Sequence, residues 1–313
     1  MRRALLLAWR LHKWSLVALV VASVGTSVVA VLTAARLDEL LADCRAATVV
    51  VVGPCGVLAE MGIIDDPATT GRGFATITVL AVLPFAAGVV LGAPLLAKEF
   101  EHGTALLAWP LARSRLRWLA FSLVPLALLG VVALLAPAMA GELPIRAIYP
   151  GLEPGANFEG YGARGPLLVL RFVAVLVVAA LVGTWVRGQL PALLLAGVLA
   201  GGIGLGLMQA ERLWVEPVER AGSQMELDYG FSGQILTDQR YRSDDGEWLS
   251  EEEVQAIFSR VDIPLDELPE DVFFVIPRER YPDVVLRESL ALVSGTALVA
   301  ALLAFSVQRR RPA

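Results

Sequence analysis

Apolar residues in this chain are grouped into long blocks, and most of the charged residues fall between them. A helix needs about 20 mostly apolar residues to cross the hydrocarbon core of a bilayer. Six blocks are long enough, and they are Trp14–Thr33, Ile77–Ala97, Trp118–Ala138, Leu167–Val186, Gln189–Gln209 and Leu290–Val307. The fourth and fifth blocks are separated only by a tight turn at Arg187. The pattern predicts an all-α polytopic membrane protein with six transmembrane helices.

The bulk composition agrees with this pattern. Of the 313 residues, 56% are hydrophobic and 18% are charged, and the mean hydropathy is +0.65. Soluble domains are about 45–50% apolar and about 25% charged. Because the apolar excess is concentrated in blocks, it indicates a bilayer rather than a large soluble core.

Basic residues between the blocks predict the orientation, since cytoplasmic connections carry an excess of Lys and Arg. With a cytoplasmic N-terminus, the inner connections hold most of the basic residues, with only Glu99 and Glu101 as acids. These basic residues are Arg2, Arg3, Arg10, Lys13, Lys98, Arg113, Arg115, Arg117, Arg187, Arg309, Arg310 and Arg311. The outer connections hold fewer basic residues relative to acids. We therefore expect both termini to be cytoplasmic.

The connection before the last block is long and acidic. From Glu211 to Asp283 it holds 19 acidic residues and 7 arginines, a net charge of −12 against −5 for the whole chain. We interpret this charge as a solvated surface rather than a cation site. The sequence predicts a helix from Glu251 to about Arg260 that is capped by Ser250, and a strand at 273–276 that is ended by Pro277. The segment is therefore expected to form a small mixed α/β extracytoplasmic insert between helices 5 and 6, with a core of Trp214, Tyr229, Phe231, Trp248 and Phe258.

The chain thus divides into three parts. Residues 1–210 hold the first five helices, residues 211–285 form the acidic extracytoplasmic domain, and residues 286–313 hold the sixth helix and a basic cytoplasmic tail. The two cysteines, Cys44 and Cys55, both fall in the first outer connection. A disulfide between them suits an oxidising exterior, and two unpaired thiols are the alternative. No metal site is expected, because the two histidines, His12 and His102, lie on the opposite face.

Several kinds of chemistry have no sequence signature here. Lys13 and Lys98 are the only lysines, and neither follows the glycine spacing of a phosphate-binding loop. No metalloprotease or serine-hydrolase signature is present, and carboxylates and histidines are almost missing from the blocks, which disfavours an ion-driven carrier. We therefore expect that the chain is not an enzyme, that it binds no nucleic acid, and that any transport takes its energy from another polypeptide.

Three pairs of glycines have the four-residue spacing that lets helices approach closely. They are Gly88 and Gly92, Gly197 and Gly201, and Gly202 and Gly206. In a chain this rich in glycine, packing within one protomer is the preferred interpretation. A moving interface between two protomers is the alternative.

The connection from Pro94 to Trp118 reads PLLAKEFEHGTALLAWPLARSRLRW. It predicts a helix that leaves the membrane, a kink at Gly103 and a short helix on the cytoplasmic surface. Glu99, Glu101 and His102 would then face a soluble partner. The arginines Arg113, Arg115 and Arg117 would anchor at phospholipid headgroups. An ordinary basic loop is the alternative on physical grounds alone.

This connection resembles that of the ABC-2 type transporter permeases, in its actinobacterial-style form. The resemblance rests on Ala97–Thr104, Ala108–Trp109 and Ser114–Trp118, and the layout of six helices with a basic N-terminal segment is also similar. It implies a permease subunit of an ABC exporter. Two permease chains, alike or different, would pair with two cytosolic ATPase subunits that bind ATP and Mg²⁺, so that this chain itself holds no cofactor.

The resemblance also implies roles for particular residues. Residues 97–117 would form the segment that couples to the ATPase, centred on Glu99, Glu101, His102, Gly103 and Thr104. Met1–Lys13 would form an elbow helix on the surface of a bacterial plasma membrane. One alternative function is a membrane-anchored extracytoplasmic sensor or binding protein without transport activity, in which the acidic domain is the working part. The other is a membrane-embedded enzyme, which would require polar residues clustered at one membrane depth, and the sequence shows no such cluster.

Overall fold

The structure is a computed structural model. It describes the backbone of residues 2–40, 42, 67–103, 114–149, 152–153, 155–186, 188–221, 234–243, 245–259 and 269–309. Side chains are described in the same ranges except at residues 2–11, 40, 67–70, 210–213 and 221. The cysteines Cys44 and Cys55, together with Thr104, Arg113, Arg187, Tyr229 and Phe231, lie outside the described residues, so the predictions made for them stay predictions.

Helices dominate the described chain. They are α1 (Arg2–Leu40), α2 (Pro67–Glu101), α3 (Arg115–Ala140), α4 (Glu142–Ile148), α5 (Gly165–Trp185), α6 (Gln189–Trp214), α7 (Glu251–Phe258) and α8 (Tyr281–Arg309). All of these except α4 and α7 contain a stretch that is long and apolar enough to cross a membrane. The six predicted blocks are confirmed as helices of this kind, including the tight division between α5 and α6.

The helix α1 changes direction at His12, whose backbone has non-helical dihedral angles (φ −115°, ψ 20°). The stretch long enough to span a membrane begins at this residue and continues to Glu39. A break between an N-terminal helix and the first span is therefore present where the sequence predicted an elbow. The location of this N-terminal helix on a membrane surface stays a prediction.

The helix α5 lies at the centre of the bundle. In its apolar span 72% of the residues are buried, against 17% in α6 and in α8. Its closest neighbour is α2, where a Cβ at Gly88 would lie 2.8 Å from Val175 Cβ, and one at Gly92 would lie 2.9 Å from Ala179 Cβ. Packing within one protomer is therefore confirmed for this glycine pair.

The glycine pairs of α6 do not pack within the protomer, in contrast to the preferred interpretation. A Cβ at Gly197, Gly201, Gly202 or Gly206 would meet no atom within 4 Å. Instead, α6 packs on α2 and α5 through a buried stripe of alanines, Ala192, Ala196 and Ala200. These alanines recur every four residues and therefore share one face of the helix. The glycine pairs lie on other faces, which this protomer leaves uncovered.

The segment between α6 and α8 folds into a three-stranded antiparallel sheet in the order β1 (Val218–Ala221), β3 (Glu270–Ile276), β2 (Ile235–Arg242). The apolar strand β3 is central, as expected for a strand buried by neighbours on both sides. Ser250 caps α7 in a capping box with Glu253. The predicted strand and helix are confirmed, and the insert is a mixed α/β unit.

The predicted core of this insert is partly wrong. Trp248 is 46% exposed and Phe258 is 51% exposed, whereas Val272, Phe273, Val275 and Ile276 on β3 are buried. The two aromatic rings rest on the outside, near Phe274 and Tyr241 respectively. Burial follows position in the sheet, and only the central strand is covered by its neighbours on both edges. Aromatic type alone does not indicate this.

Candidate functional site

The end of α2 carries most of the residues predicted to couple to a partner. The helix ends at Glu101, the amide of His102 donates to the Lys98 carbonyl (3.1 Å), and Gly103 has φ +68°. A left-handed glycine just after the last helical residue is a common way to end a helix. The chain therefore leaves the helix at Gly103, and the short surface helix predicted after it lies outside the described residues. Glu101 and His102 are exposed, and Glu99 is half-buried.

Glu101 makes a specific contact at this end of the bundle. Its Oε2 accepts a hydrogen bond from the backbone amide of Gln189, the first residue of α6, at 2.8 Å. The first amides of a helix have no partner within the helix, and the positive end of the helix dipole favours a carboxylate there. The residue before α6, Gly188, provides no side-chain cap. Glu101 therefore caps α6 from another helix.

Arg115 makes the matching contact at the start of α3. Its Nη1 donates to the carbonyl of Gln308 at 2.9 Å, near the C-terminal end of α8. A cation at the last carbonyls of a helix is stabilising for the same reason that an anion is stabilising at its start. Ser114 caps α3 by accepting from the amide of Arg117, and the guanidinium of Arg117 lies over the ring of Phe121 (5.5 Å). Anchoring of these arginines at headgroups stays a prediction.

These contacts assemble five chain segments at one end of the bundle. The end of α2 meets the start of α6, and the start of α3 meets the end of α8. His12, at the kink of α1, lies within electrostatic reach of Lys98 and Glu99. The basic residues predicted that these segments share one membrane face, and the structure brings the segments together at one end of the bundle. Which side of the membrane this end faces stays a prediction.

The opposite end contains a buried ion pair that sequence reasoning missed. Arg171 on α5 is 5% exposed, and Glu288 on α8 is fully buried. Arg171 Nη2 lies 2.8 Å from Glu288 Oε1, and the hydroxyl of Tyr161 donates to Glu288 Oε2 at 2.5 Å. A buried charge requires a partner of this kind. Arg171 inside an apolar block was the available signal, because an ionisable residue in a span needs a partner.

A second ion pair, between a buried arginine and a half-buried glutamate, lies close to the first. Arg164 donates through Nη1 to Glu142 and through Nη2 to the carbonyl and side-chain oxygens of Asn157 (2.7 and 2.8 Å). Its guanidinium also lies over the ring of Tyr281 (5.7 Å). This network joins α4, the segment before α5 and the start of α8. It belongs to the end of the bundle on which the insert rests, since Val215 and Ile276 share a buried cluster with Tyr281.

Metal binding is not indicated by these arrangements. Within the described ranges, no group of three or more His, Cys, Asp or Glu side chains is placed to hold a metal ion. Both arrangements connect helices to one another. One end links helix termini through Glu101 and Arg115, and the other holds α5 and α8 together through Arg171 and Glu288.

Six helices that are long and apolar enough to cross a membrane, with α5 the most buried of them, define a multi-pass membrane protein. The sequence model of one family, described as ABC-2 membrane transporter related, matches residues 16–212. Because this match covers well over half of the chain, the protein belongs to that family, and the resemblance to ABC-2 type permeases is confirmed. No curated protein and no solved structure matches the chain.

Proposed function

We propose that this chain is the permease subunit of an ATP-binding cassette exporter and that a separate cytosolic ATPase drives it. Membership of the ABC-2 related family supports this function, and so does the sequence, in which neither lysine belongs to a phosphate-binding loop. In this proposal the ATPase binds ATP and Mg²⁺, and the helices of this chain form the path across a bacterial plasma membrane.

The observation that carries the proposal is the hydrogen bond from Gln189 to Glu101. A partner that docks on residues 97–117 would push on the end of α2 and, through this bond, on the start of α6. The hydrogen bond from Arg115 to the Gln308 carbonyl would carry the displacement from the start of α3 to the end of α8. Rigid links between helix termini are what a coupling element needs, because force must reach several spans together.

The proposal places the end with Glu101 and Arg115 in the cytoplasm and the α/β insert outside. The excess of arginine and lysine in the connections at that end supports this orientation. The insert, with its acidic surface, would then lie on the outer side.

A second permease chain is part of the same proposal. The faces of α6 with Gly197, Gly201, Gly202 and Gly206 are open in this protomer, and glycines at this spacing favour close helix contact. An exposed surface of this kind supports pairing with another permease chain along α6, whether that chain is identical or different.

The test is a pull-down of the tagged chain in mild detergent, with identification of the proteins that co-purify. We expect a stoichiometric ATPase that contains a phosphate-binding loop, and its loss in Glu99→Lys/Glu101→Lys. Glu247→Lys, an exposed change in the insert, is the matched control and should retain the ATPase. A chain that purifies alone with intact thermal stability would overturn the proposal and favour the sensor function.

A further inference from the structure

A groove of about 510 Å³ runs between α1 and α2 on the surface of the bundle. Gly25, Val29 and Thr33 form part of one wall, and Arg72 and Thr76 form part of the other. The spacing of three and four residues on each helix means that one face of each helix supplies a wall. The volume lies within the range of about 300–1,000 Å³ that is usual for ligand pockets.

The position of the groove relative to the membrane follows from where its residues lie on α2. Arg72 and Glu101 lie near opposite ends of that helix, about 44 Å apart at 1.5 Å per residue. A bilayer with its headgroup regions is about 40–45 Å thick. When Glu101 is at one membrane surface, Arg72 is therefore at the headgroup level of the other. The groove runs from Arg72 towards the middle of the membrane.

The chemistry of the groove changes along its length. The lining is largely apolar, with the hydroxyls of Thr33 and Thr76 3.4 Å apart between the helices. Arg72 is the charged residue of the lining, and it is exposed. Within the described ranges, no carboxylate lies in salt-bridge contact with it, whereas Arg164 and Arg171 are both paired.

We propose that this groove binds an anionic phospholipid of the surrounding bilayer, with an acyl chain along Gly25 and Val29 and the headgroup phosphate on Arg72. A guanidinium recognises phosphate through charge-assisted hydrogen bonds, and basic residues at the ends of spans attract anionic headgroups. An apolar groove that ends at a cation with no carboxylate partner among the described residues complements a molecule with an acyl tail and an anionic head. This site does not depend on transport or on an ATPase.

The experiment compares phosphatidylglycerol with phosphatidylcholine of the same acyl chains, titrated into the delipidated full chain and followed by native mass spectrometry. We expect phosphatidylglycerol to bind more tightly than phosphatidylcholine. In Arg72→Gln its dissociation constant should rise about fivefold, the factor expected for one basic residue near the surface. Arg72→Lys should retain most of the preference, and Arg146→Gln, an exposed arginine on α4, should retain all of it.

A second variant tests the apolar part of the groove. A Cβ at Gly25 would meet no atom within 4 Å, so Gly25→Leu fills the groove without a clash in the protomer. It should abolish specific binding of phosphatidylglycerol. Gly295→Leu on α8 also has open space, and it should leave binding unchanged.

Equal binding of both lipids in the unaltered chain, or unchanged binding in both Arg72→Gln and Gly25→Leu, would overturn the proposal. If Gly25→Leu instead converts a dimer to a monomer and leaves lipid binding unchanged, the groove is an interface between two copies and the proposal is wrong.

Discussion

Arg171 on α5 and Glu288 on α8 form a buried ion pair, with Nε and Nη2 of the arginine 2.9 and 2.8 Å from the same carboxylate oxygen. The second carboxylate oxygen accepts from Tyr161, and the guanidinium lies over the ring of that tyrosine (5.5 Å). The pair fixes the central helix to the last one, near the junction with the α/β insert. The pair therefore joins the central helix to the helix that leads directly out of the insert.

Removal of one partner of this pair should be costly. In Glu288→Leu the charge of Arg171 stays buried without compensation, which costs about 3–5 kcal/mol, and the thermal midpoint in detergent should fall by on the order of 10 °C. The double variant Arg171→Met/Glu288→Leu should recover most of this loss, because a well-packed apolar pair replaces the ions. A double-mutant cycle measures the coupling. Additive losses would show that the two side chains do not act together.

Gly162 should tolerate no side chain. It has φ +75°, and a Cβ there would overlap the guanidinium of Arg171. Gly155 provides a matched control, because it has φ +68° and open space. Gly155→Ala should cost only the left-handed backbone penalty of about 1–2 kcal/mol. Gly162→Ala should cost clearly more, as measured by thermal unfolding in detergent. Equal losses in the two variants would indicate that Arg171 moves aside easily.

The two kinds of glycine in the spans should respond differently to leucine. Gly88→Leu forces a side chain into Val175 and the backbone of Leu176, and overpacking of this kind costs about 1–3 kcal/mol or more. Gly201→Leu enters open space and should leave the thermal midpoint of the monomer unchanged. If a second permease chain packs on α6, Gly201→Leu should also lower the dimer fraction in light scattering. A large loss of monomer stability in Gly201→Leu would mean that α6 is covered within the chain.

The helix α7 should weaken in acid. The pKa of Glu253 is lowered from its ordinary value of 4.5, first by the backbone amide of Ser250 and then by its hydroxyl. Since the folded form has the lower pKa, the contribution of Glu253 is complete above that ordinary value. It is lost as the pH falls through the lowered one.

Hydrogen exchange of residues 251–258, corrected for the intrinsic rate at each pH, should show protection that decreases below the ordinary pKa. In Glu253→Gln this decrease should be absent, because the amide does not titrate. A decrease of the same size in Glu253→Gln would assign the effect to another group.

The local features of this fold follow from the sequence. The six long helices follow from the apolar blocks, since a span requires little more than length and hydropathy. The start of α7 follows from Ser250 and Glu253, and the break after Glu101 follows from Gly103. Each of these depends on residues that lie close together in the chain, so a short window of sequence contains the whole cause.

Contacts between distant residues required the tertiary structure. Arg171 and Glu288 are 117 positions apart, and Glu101 and Gln189 are 88 apart. The sequence showed only that Arg171 lies inside an apolar block. It did not identify Glu288, because α8 begins at Tyr281, well before the apolar block that was predicted from Leu290.

In α6, too, the sequence determines some features and the tertiary structure decides others. Its length and apolar character are properties of the sequence, but alanine and glycine both permit close packing, so composition does not select the contact face. The structure selects the face with Ala192, Ala196 and Ala200 and leaves the glycine pairs open. Sequence therefore determined which segments are helices, through short-range hydrogen bonding and hydropathy. Only the tertiary structure decided which faces meet, because that choice depends on the shapes of several helices at once.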